Sequence, residues 1–159
     1  MLEWLENTQF SAAVRTELWG WPLALTLHVL GLALVIGFVA VIGLRLLGLF
    51  DLMPYTSLRR MFSIIWTGLA LQLVSGFILW MTKPSQYLAD VAFLLKVLLV
   101  VVGTVLTLSL YGTVMREAPS WYAKGGVVSS RAVTFVAATL AVWCGALIAG
   151  RLTAYLGSL

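Results

Sequence analysis

Carboxylates are the scarcest feature of this chain. Its 159 residues include six Asp and Glu against ten Lys and Arg, and 62% of the sequence is hydrophobic while 10% is charged. A water-facing domain carries about 25% charged residues. The composition therefore excludes a soluble body of this size. Every carboxylate lies near the end of an apolar run, which argues against a proton pump. Cysteine is represented by Cys144 alone, so an intrachain disulfide and a thiolate metal cluster are both excluded. Cys144 reads as a small apolar residue in a helix. His28 is the one histidine, and the chain has no HExxH, CxxC, phosphate loop or Ser–His–Asp set. Hydrolytic chemistry thus lacks a general-base pair. No catalytic motif marks an enzyme, and the chain is at most an electron-transfer subunit. Neither a Lys/Arg-rich run nor an aromatic RNA-binding motif is present, so nucleic acid is not an expected partner. The basic residues flank apolar runs instead, which suits anionic lipid headgroups. The first 18 residues carry Glu3, Glu6 and Glu17 against Arg15, with no basic leader before an apolar core. They do not read as a cleaved signal peptide.

What is abundant is apolar length. Four runs, 21–50, 60–81, 88–115 and 127–156, each reach the ~20 residues that cross a bilayer as a helix. The expected fold is all-α: one membrane domain over residues 1–159, built as a four-transmembrane-helix bundle in the lipid bilayer. A short interfacial helix is expected over 2–18, with Leu2, Leu5, Val14 and Leu18 on one face and Trp4 and Phe10 at its flank. Pro54, Pro84 and Pro119 are expected in the three connections, because proline lacks an amide donor and fixes its own φ. Pro22 suits the first turn of span one, and Gly125–Gly126 marks a loop before span four. Trp19, Trp21, Tyr55, Trp80, Tyr87, Trp121, Tyr122 and Tyr155 fall near span ends, as aromatic belts do.

Orientation follows from Lys and Arg. Arg45, Arg59, Arg60, Arg116, Lys124 and Arg131 cluster at one set of ends, against Arg15, Lys83 and Arg151 at the other. Basic loops stay in the cytoplasm. The expectation is a multi-pass protein of the bacterial inner membrane with both termini periplasmic. Span four carries small residues at spacing four, Ala137, Ala141, Gly145 and Ala149. Such a stripe admits a close helix neighbour, by default in the same chain, otherwise in a second copy.

Four polar residues fall at similar depth in the outer half. At 1.5 Å per residue, His28 lies ~10 Å in from Trp21, Lys96 ~9 Å in from Asp90, Gln72 ~12 Å in from Trp80, and Arg151 ~6 Å from Tyr155. An ionisable group inside a span costs about 2.5–3.5 kcal/mol and usually marks a site. Blander readings stand beside this one. Arg151 and Lys96 have stems long enough to snorkel to headgroups. His28 would be satisfied as a neutral ring bonded to Gln72, Thr26 or a backbone carbonyl.

The leading functional reading is a small redox-cofactor subunit that holds haem b through His28, with Lys96 or Arg151 at the propionates. A second axial ligand would come from His28 of another copy, or from Met81. Copper held by His28 with Met81 or Cys144 is a second option. A quinone whose carbonyl bonds His28 and whose reduced anion is stabilised by Lys96 is a third. Two readings of other classes stand beside these: a non-catalytic scaffold or partner subunit of a larger membrane complex, and a copper or small-solute transport component. One histidine per chain makes a homo-oligomer with two-fold symmetry attractive on any of them.

The stretch Trp19-Gly-Trp-Pro-Leu-Ala-Leu-Thr-Leu-His28-Val-Leu-Gly31, followed by Arg45-Leu-Leu-Gly48, resembles the first span of an uncharacterised bacterial four-helix membrane family, a domain of unknown function. Ala92-Phe-Leu-Leu-Lys96, and Trp143 through Gly150-Arg151-Leu-Thr-Ala-Tyr155, are similar to its third and fourth spans. The resemblance covers nearly the whole chain and implies that His28, Lys96 and Arg151 are its site positions. More distantly, the chain is similar to the membrane domains of copper-resistance D-type proteins and b-type cytochromes. It departs from those in having no further membrane histidine.

Overall fold

The computed structural model describes residues 3–49, 53–123 and 127–156. The boundaries expected at Leu2 and Phe50, the loop signal Gly125–Gly126, and Lys124 lie outside the described residues, as do the side chains of Tyr122 and Tyr155. The chain is all-α. In order, its helices are α1 (Glu3–Glu6), α2 (Gln9–Thr16), α3 (Gly20–Leu46), α4 (Thr56–Met81), α5 (Pro84–Ala89), α6 (Val91–Ala123) and α7 (Ser130–Leu156). Helices α3, α4, α6 and α7 are long and apolar enough to cross a membrane, so this is a multi-pass, four-span membrane protein.

These helices are apolar nearly all round, as helices solvated by lipid are. Leu23, Leu30, Leu73, Leu98, Val105 and Ile148 all project outward. Only 11% of the apolar window of α6 is buried inside the bundle, against 33% for each of the other spans. Helix α6 is the outlying member.

Helix α3 is central and packs on α4 and α7, while α6 packs on α7. Glycine sets the closest of these contacts. A Cβ on Gly31 would stand 2.7 Å from the backbone nitrogen of Gln72, and one on Gly68 would stand 2.9 Å from the carbonyl oxygen of Gly31. The two backbones therefore touch at this level. On the α6–α7 side, Trp143 lies flat over Gly103, where a Cβ would come within 2.9 Å of the indole. Its Nε1–H donates to Thr107 Oγ1 at 3.1 Å. That hydroxyl donates in turn to the Gly103 carbonyl at 2.7 Å. Interhelical bonds of this kind in a bilayer average about 0.6 kcal/mol and reach about 1.7. Trp143→Phe is accordingly expected to lower stability by about 1 kcal/mol, read from unfolding in bicelles. An unchanged midpoint would deny the indole bond any role.

Helices α4 and α6 meet through aromatic rings in the half of the bundle away from α5. Tyr111 stands edge-on to Phe62 at 5.1 Å and to Trp66 at 6.3 Å. Tyr55 meets Trp121 at 5.3 Å. Toward the α5 end the two helices diverge, and the gap between them becomes the cavity described below.

Several expectations about the breaks are corrected. The segment expected as one interfacial helix is two pieces. Thr8 interrupts it and caps α2 by accepting from the Ser11 amide at 3.2 Å. Helix α2 also docks on the end of α4. Ser11 donates to the Met81 carbonyl at 3.1 Å, and Arg15 donates to the Thr82 carbonyl at 3.1 Å. Trp4 and Phe10 stay exposed, free to meet lipid. Pro119 does not end span three, because α6 runs through it to Ala123. An interior proline costs about 3 kcal/mol. Ala118 and Trp121 on either side of it are buried, which offsets that cost. Pro84 opens an unexpected short helix, α5, at its first position, where its missing N–H matters least. Span one stops at Leu46 rather than Phe50. Gly48 there has φ 84, the left-handed conformation that lets Leu49 N–H close back on the Leu44 carbonyl at 3.0 Å. Arg45 is buried at this turn, with Nε donating to the Met53 carbonyl at 2.6 Å and its guanidinium 4.2 Å above the Tyr55 ring.

The stripe on α7 divides. Ala149 is buried and Gly145 faces Leu99 of α6, whereas Ala137 and Ala141 are exposed. The C-terminal part of the stripe thus serves packing within the chain.

Candidate functional site

In the half of the bundle nearer α5, all four spans and α5 surround a cavity of about 830 Å³. His28, Gln72, Lys96 and Arg151, the four residues matched by depth in the sequence, all line it. The remaining walls are almost wholly apolar, with Trp21, Leu25, Phe77, Trp80, Phe93 and Val101 among them. Leu73 and Phe77 on α4, and Leu94, Val97 and Val101 on α6, line the cavity yet keep outward surface. The cavity is a cleft that opens between α4 and α6 toward the bilayer.

The polar end is organised by one hydrogen-bond chain. Ser75 Oγ lies 2.6 Å from the Leu71 carbonyl, one turn back on the same helix. A carbonyl only accepts, so the Ser75 hydrogen is committed to it. His28 Nδ1 lies 3.1 Å from Ser75 Oγ. With the hydroxyl hydrogen committed, Nδ1 must carry the proton and donate. Nε2 is then the lone-pair nitrogen, and it accepts from Lys96 Nζ at 3.1 Å. Three helices are tied together by this chain, and its direction fixes the imidazole tautomer.

Glycines make room for it. A Cβ on Gly76 would stand 3.0 Å from His28 Cε1, and one on Gly150 would stand 3.3 Å from Lys96 Cδ and Cε. Both positions keep a flat ring and an aliphatic stem against a bare helix backbone. Gln72 stands on α4 one turn before Ser75 and Gly76 and is 3% exposed. Among the described residues its Oε1 is the buried side-chain oxygen with no hydrogen-bond partner. A buried acceptor left unmade costs about 1–3 kcal/mol.

Arg151 is exposed and stands at the rim. Tyr87 of α5 also lines the cavity, its ring 5.1 Å from that of Phe93. Burial, and then the Asp90 carboxylate, push its phenol above the ordinary value, so it stands at the mouth as a neutral O–H. Met81 is not among the lining residues, and its carbonyl is engaged by Ser11. Cys144 faces outward. Among the described residues, no group of three or more His, Cys, Asp or Glu side chains is gathered in one place.

Thr26, one expected satisfier of the histidine, donates to the Pro22 carbonyl at 2.7 Å instead. The residue that satisfies His28, Ser75, was missed by sequence reasoning. Its signal was present: Ser75 and Gly76 follow Gln72 by three and four residues, the spacing that shares a helix face. No protein-family model, no curated protein and no solved structure matches the chain.

Proposed function

We propose that this four-span protein is a small redox-cofactor subunit whose outer cleft binds an isoprenoid quinone, with the ring directed toward Lys96 and Gln72. The single observation that carries this reading is the hydrogen-bond chain ending at Lys96. His28 Nε2 is engaged by Nζ at 3.1 Å, so the remaining Lys96 N–H groups are the donors available to a ligand. A quinone carbonyl accepts such a bond, and an isoprenoid tail suits a greasy slot that opens sideways into lipid. His28 acts through Lys96 as a positioning residue.

Haem b fits these residues less well. An axial imidazole must offer its lone pair, and Lys96 covers that nitrogen. Met81, the expected second ligand within the chain, does not line the cleft. Copper meets the same obstacle at His28, with Met81 and Cys144 both off the cavity. Membership of the uncharacterised four-helix family belongs to the same proposal and adds no chemistry to it.

The test is binding of decylubiquinone to the purified protein in lipid nanodiscs. Saturable binding is expected, weakened at least tenfold by Val101→Trp, which narrows the cleft from its lipid side and leaves the polar end alone. No saturable binding, or a stoichiometric Soret band in protein from haem-replete cells, would overturn the reading.

The orientation belongs to this proposal, with both termini periplasmic and the cleft in the outer leaflet. In a Cys144→Ser background, an impermeant maleimide applied to spheroplasts is expected to label Ser85→Cys in the first turn of α5 and to spare Ser130→Cys at the start of α7. The reverse pattern would place the cleft on the cytoplasmic side.

A further inference from the structure

We infer that Lys96 is a nucleophilic amine, and that it condenses with the carbonyl of a long-chain aldehyde entering the cleft from the lipid. This goes beyond the quinone reading and does not require it.

A lysine becomes a nucleophile when a neighbouring base takes a proton from its ammonium. The arrangement needs a base within hydrogen-bond reach and a third group that orients the base. Both are present here. His28 Nε2, the lone-pair nitrogen of the ring, lies 3.1 Å from Lys96 Nζ. Ser75 Oγ holds the opposite nitrogen, Nδ1, at 3.1 Å. The Ser75 hydrogen is spent on the Leu71 carbonyl at 2.6 Å, so the ring keeps its lone pair toward the amine. Among the described residues, no Asp or Glu lines the cavity, and no carboxylate competes there with Nε2 for the ammonium. Lys96 lines the cavity beside Gly150, which puts no side chain in front of it. Even a Cβ at Gly150 would stand 3.5 Å from Nζ.

The walls select the reactant. They are almost wholly apolar, and the cleft opens between α4 and α6 toward the bilayer. The carbonyl compound therefore arrives as a lipid-soluble molecule. Of the carbonyl groups that apolar chains carry, an aldehyde adds an amine readily, whereas esters and carboxylates are far poorer electrophiles. In the condensation, Nε2 takes one proton from the ammonium. The freed Nζ pair then bonds to the aldehyde carbon, and the carbonyl π pair moves to oxygen. Nitrogen gives a second proton to that oxygen, which makes the carbinolamine. The proton held on Nε2 passes to the new hydroxyl, the C–O bond breaks, and water leaves. Ammonium and aldehyde thus give iminium and water with no change of oxidation state, and His28 ends as it began. Proton transfer by a positioned side chain contributes about 10²–10⁴-fold to such steps.

The experiment exposes the full chain, in phosphatidylcholine nanodiscs, to decanal with sodium cyanoborohydride, which reduces the iminium and fixes the alkyl chain on nitrogen. Peptide mass spectrometry reads the sites. Lys83, exposed at the start of α5, is the internal reference. Alkylation of Lys96 is expected to outpace that of Lys83 by about tenfold or more. In His28→Gln, which keeps a polar side chain and removes the base, the Lys96 rate is expected to fall by about tenfold or more while that of Lys83 holds. Should that variant fail to fold, Ser75→Ala, which releases the tautomer, is expected to slow Lys96 selectively. Reaction of Lys96 no faster than that of Lys83 would overturn the inference. A fast Lys96 that loss of the base leaves unchanged would also overturn it, since solubility of decanal in the cleft would then account for the rate. Saturable decylubiquinone binding beside an unreactive Lys96 would remove this inference and leave the quinone reading intact. A selectively alkylated Lys96 without quinone binding would do the reverse.

Discussion

Gly31→Leu is expected to prevent α3 and α4 from closing and to leave no stable folded bundle. The added Cβ would stand 2.7 Å from the Gln72 backbone nitrogen and 2.8 Å from the Gly68 carbonyl oxygen. Both are helix backbone, which cannot step aside as the tip of a side chain can. The contact is reciprocal: a Cβ on Gly68 would meet Leu34 Cβ at 2.8 Å. In a bilayer, no difference in hydrophobicity between lipid and protein drives helices together. Association depends on close packing, which small residues permit. Overpacking in a well-filled core costs about 1–3 kcal/mol where side chains can shift. Here a whole helix must move, so the loss is expected to exceed ~3 kcal/mol by the same scale. Size-exclusion profiles and thermal aggregation in detergent measure it. Gly37→Leu on the same helix is the control, since a Cβ there meets nothing within 4 Å, and it should behave as wild type. A wild-type midpoint for Gly31→Leu would mean that the α3–α4 contact does not hold the bundle. Because His28 lies one turn before Gly31, and Gln72 one turn after Gly68, the same contact sets the register of the site.

Depth was legible in the sequence, and direction was not. The rise of a helix is fixed, so counting inward from Trp21, Asp90, Trp80 and Tyr155 brought His28, Lys96, Gln72 and Arg151 to one level, and all four line one cavity. Rotation about the helix axis leaves a trace only when one face is polar. Helix α6 is apolar nearly all round, so nothing in 91–123 announced that Lys96 points at His28. The attraction of Met81 as a soft ligand had the same origin. Met81 follows Gly76 by five residues, which turns it ~140° away and carries it ~8 Å further along α4. The misread breaks have another cause. Pro119 is a local signal, overridden by burial of Trp121 against Tyr55, a contact between residues far apart in the chain. Pro84 to Tyr87 read as a loop, and the next two residues as the start of span three, because a helix as short as α5 has no periodicity to detect. Gly31, Gly68, Gly76 and Gly150 were all visible as small residues, but what each one admits depends on the facing helix. A single sequence does not contain that pairing.

The remaining large effect is expected at Lys96. If the direction of the hydrogen-bond chain is as its geometry requires, Lys96→Met removes the donor that faces the ligand and keeps most of the stem that packs on Gly150. Decylubiquinone affinity is then expected to fall at least tenfold, or ~1.4 kcal/mol and more. His28→Ala is expected to cost less, since it deprives Lys96 of its anchor at 3.1 Å without removing the amine. The opposite order would place His28 itself on the ligand. A spectroscopic readout separates loss of a contact from loss of the fold. His28 is the one histidine in the chain, so nitrogen-15 histidine labelling yields the spectrum of a single imidazole. In the wild type, Nδ1 is expected to be protonated and Nε2 unprotonated and hydrogen-bonded. In Lys96→Met the Nε2 resonance should move toward that of a free lone pair, while Nδ1–H, still held by Ser75 at 3.1 Å, keeps its position. In Ser75→Ala the constraint on the tautomer is gone, and a proton on Nε2 becomes competitive. That proton would point at Lys96 and displace it, so Ser75→Ala should weaken quinone binding although Ser75 does not line the cleft. An Nε2-protonated imidazole in the wild type would reverse the chain and leave Lys96 without the partner that aims it.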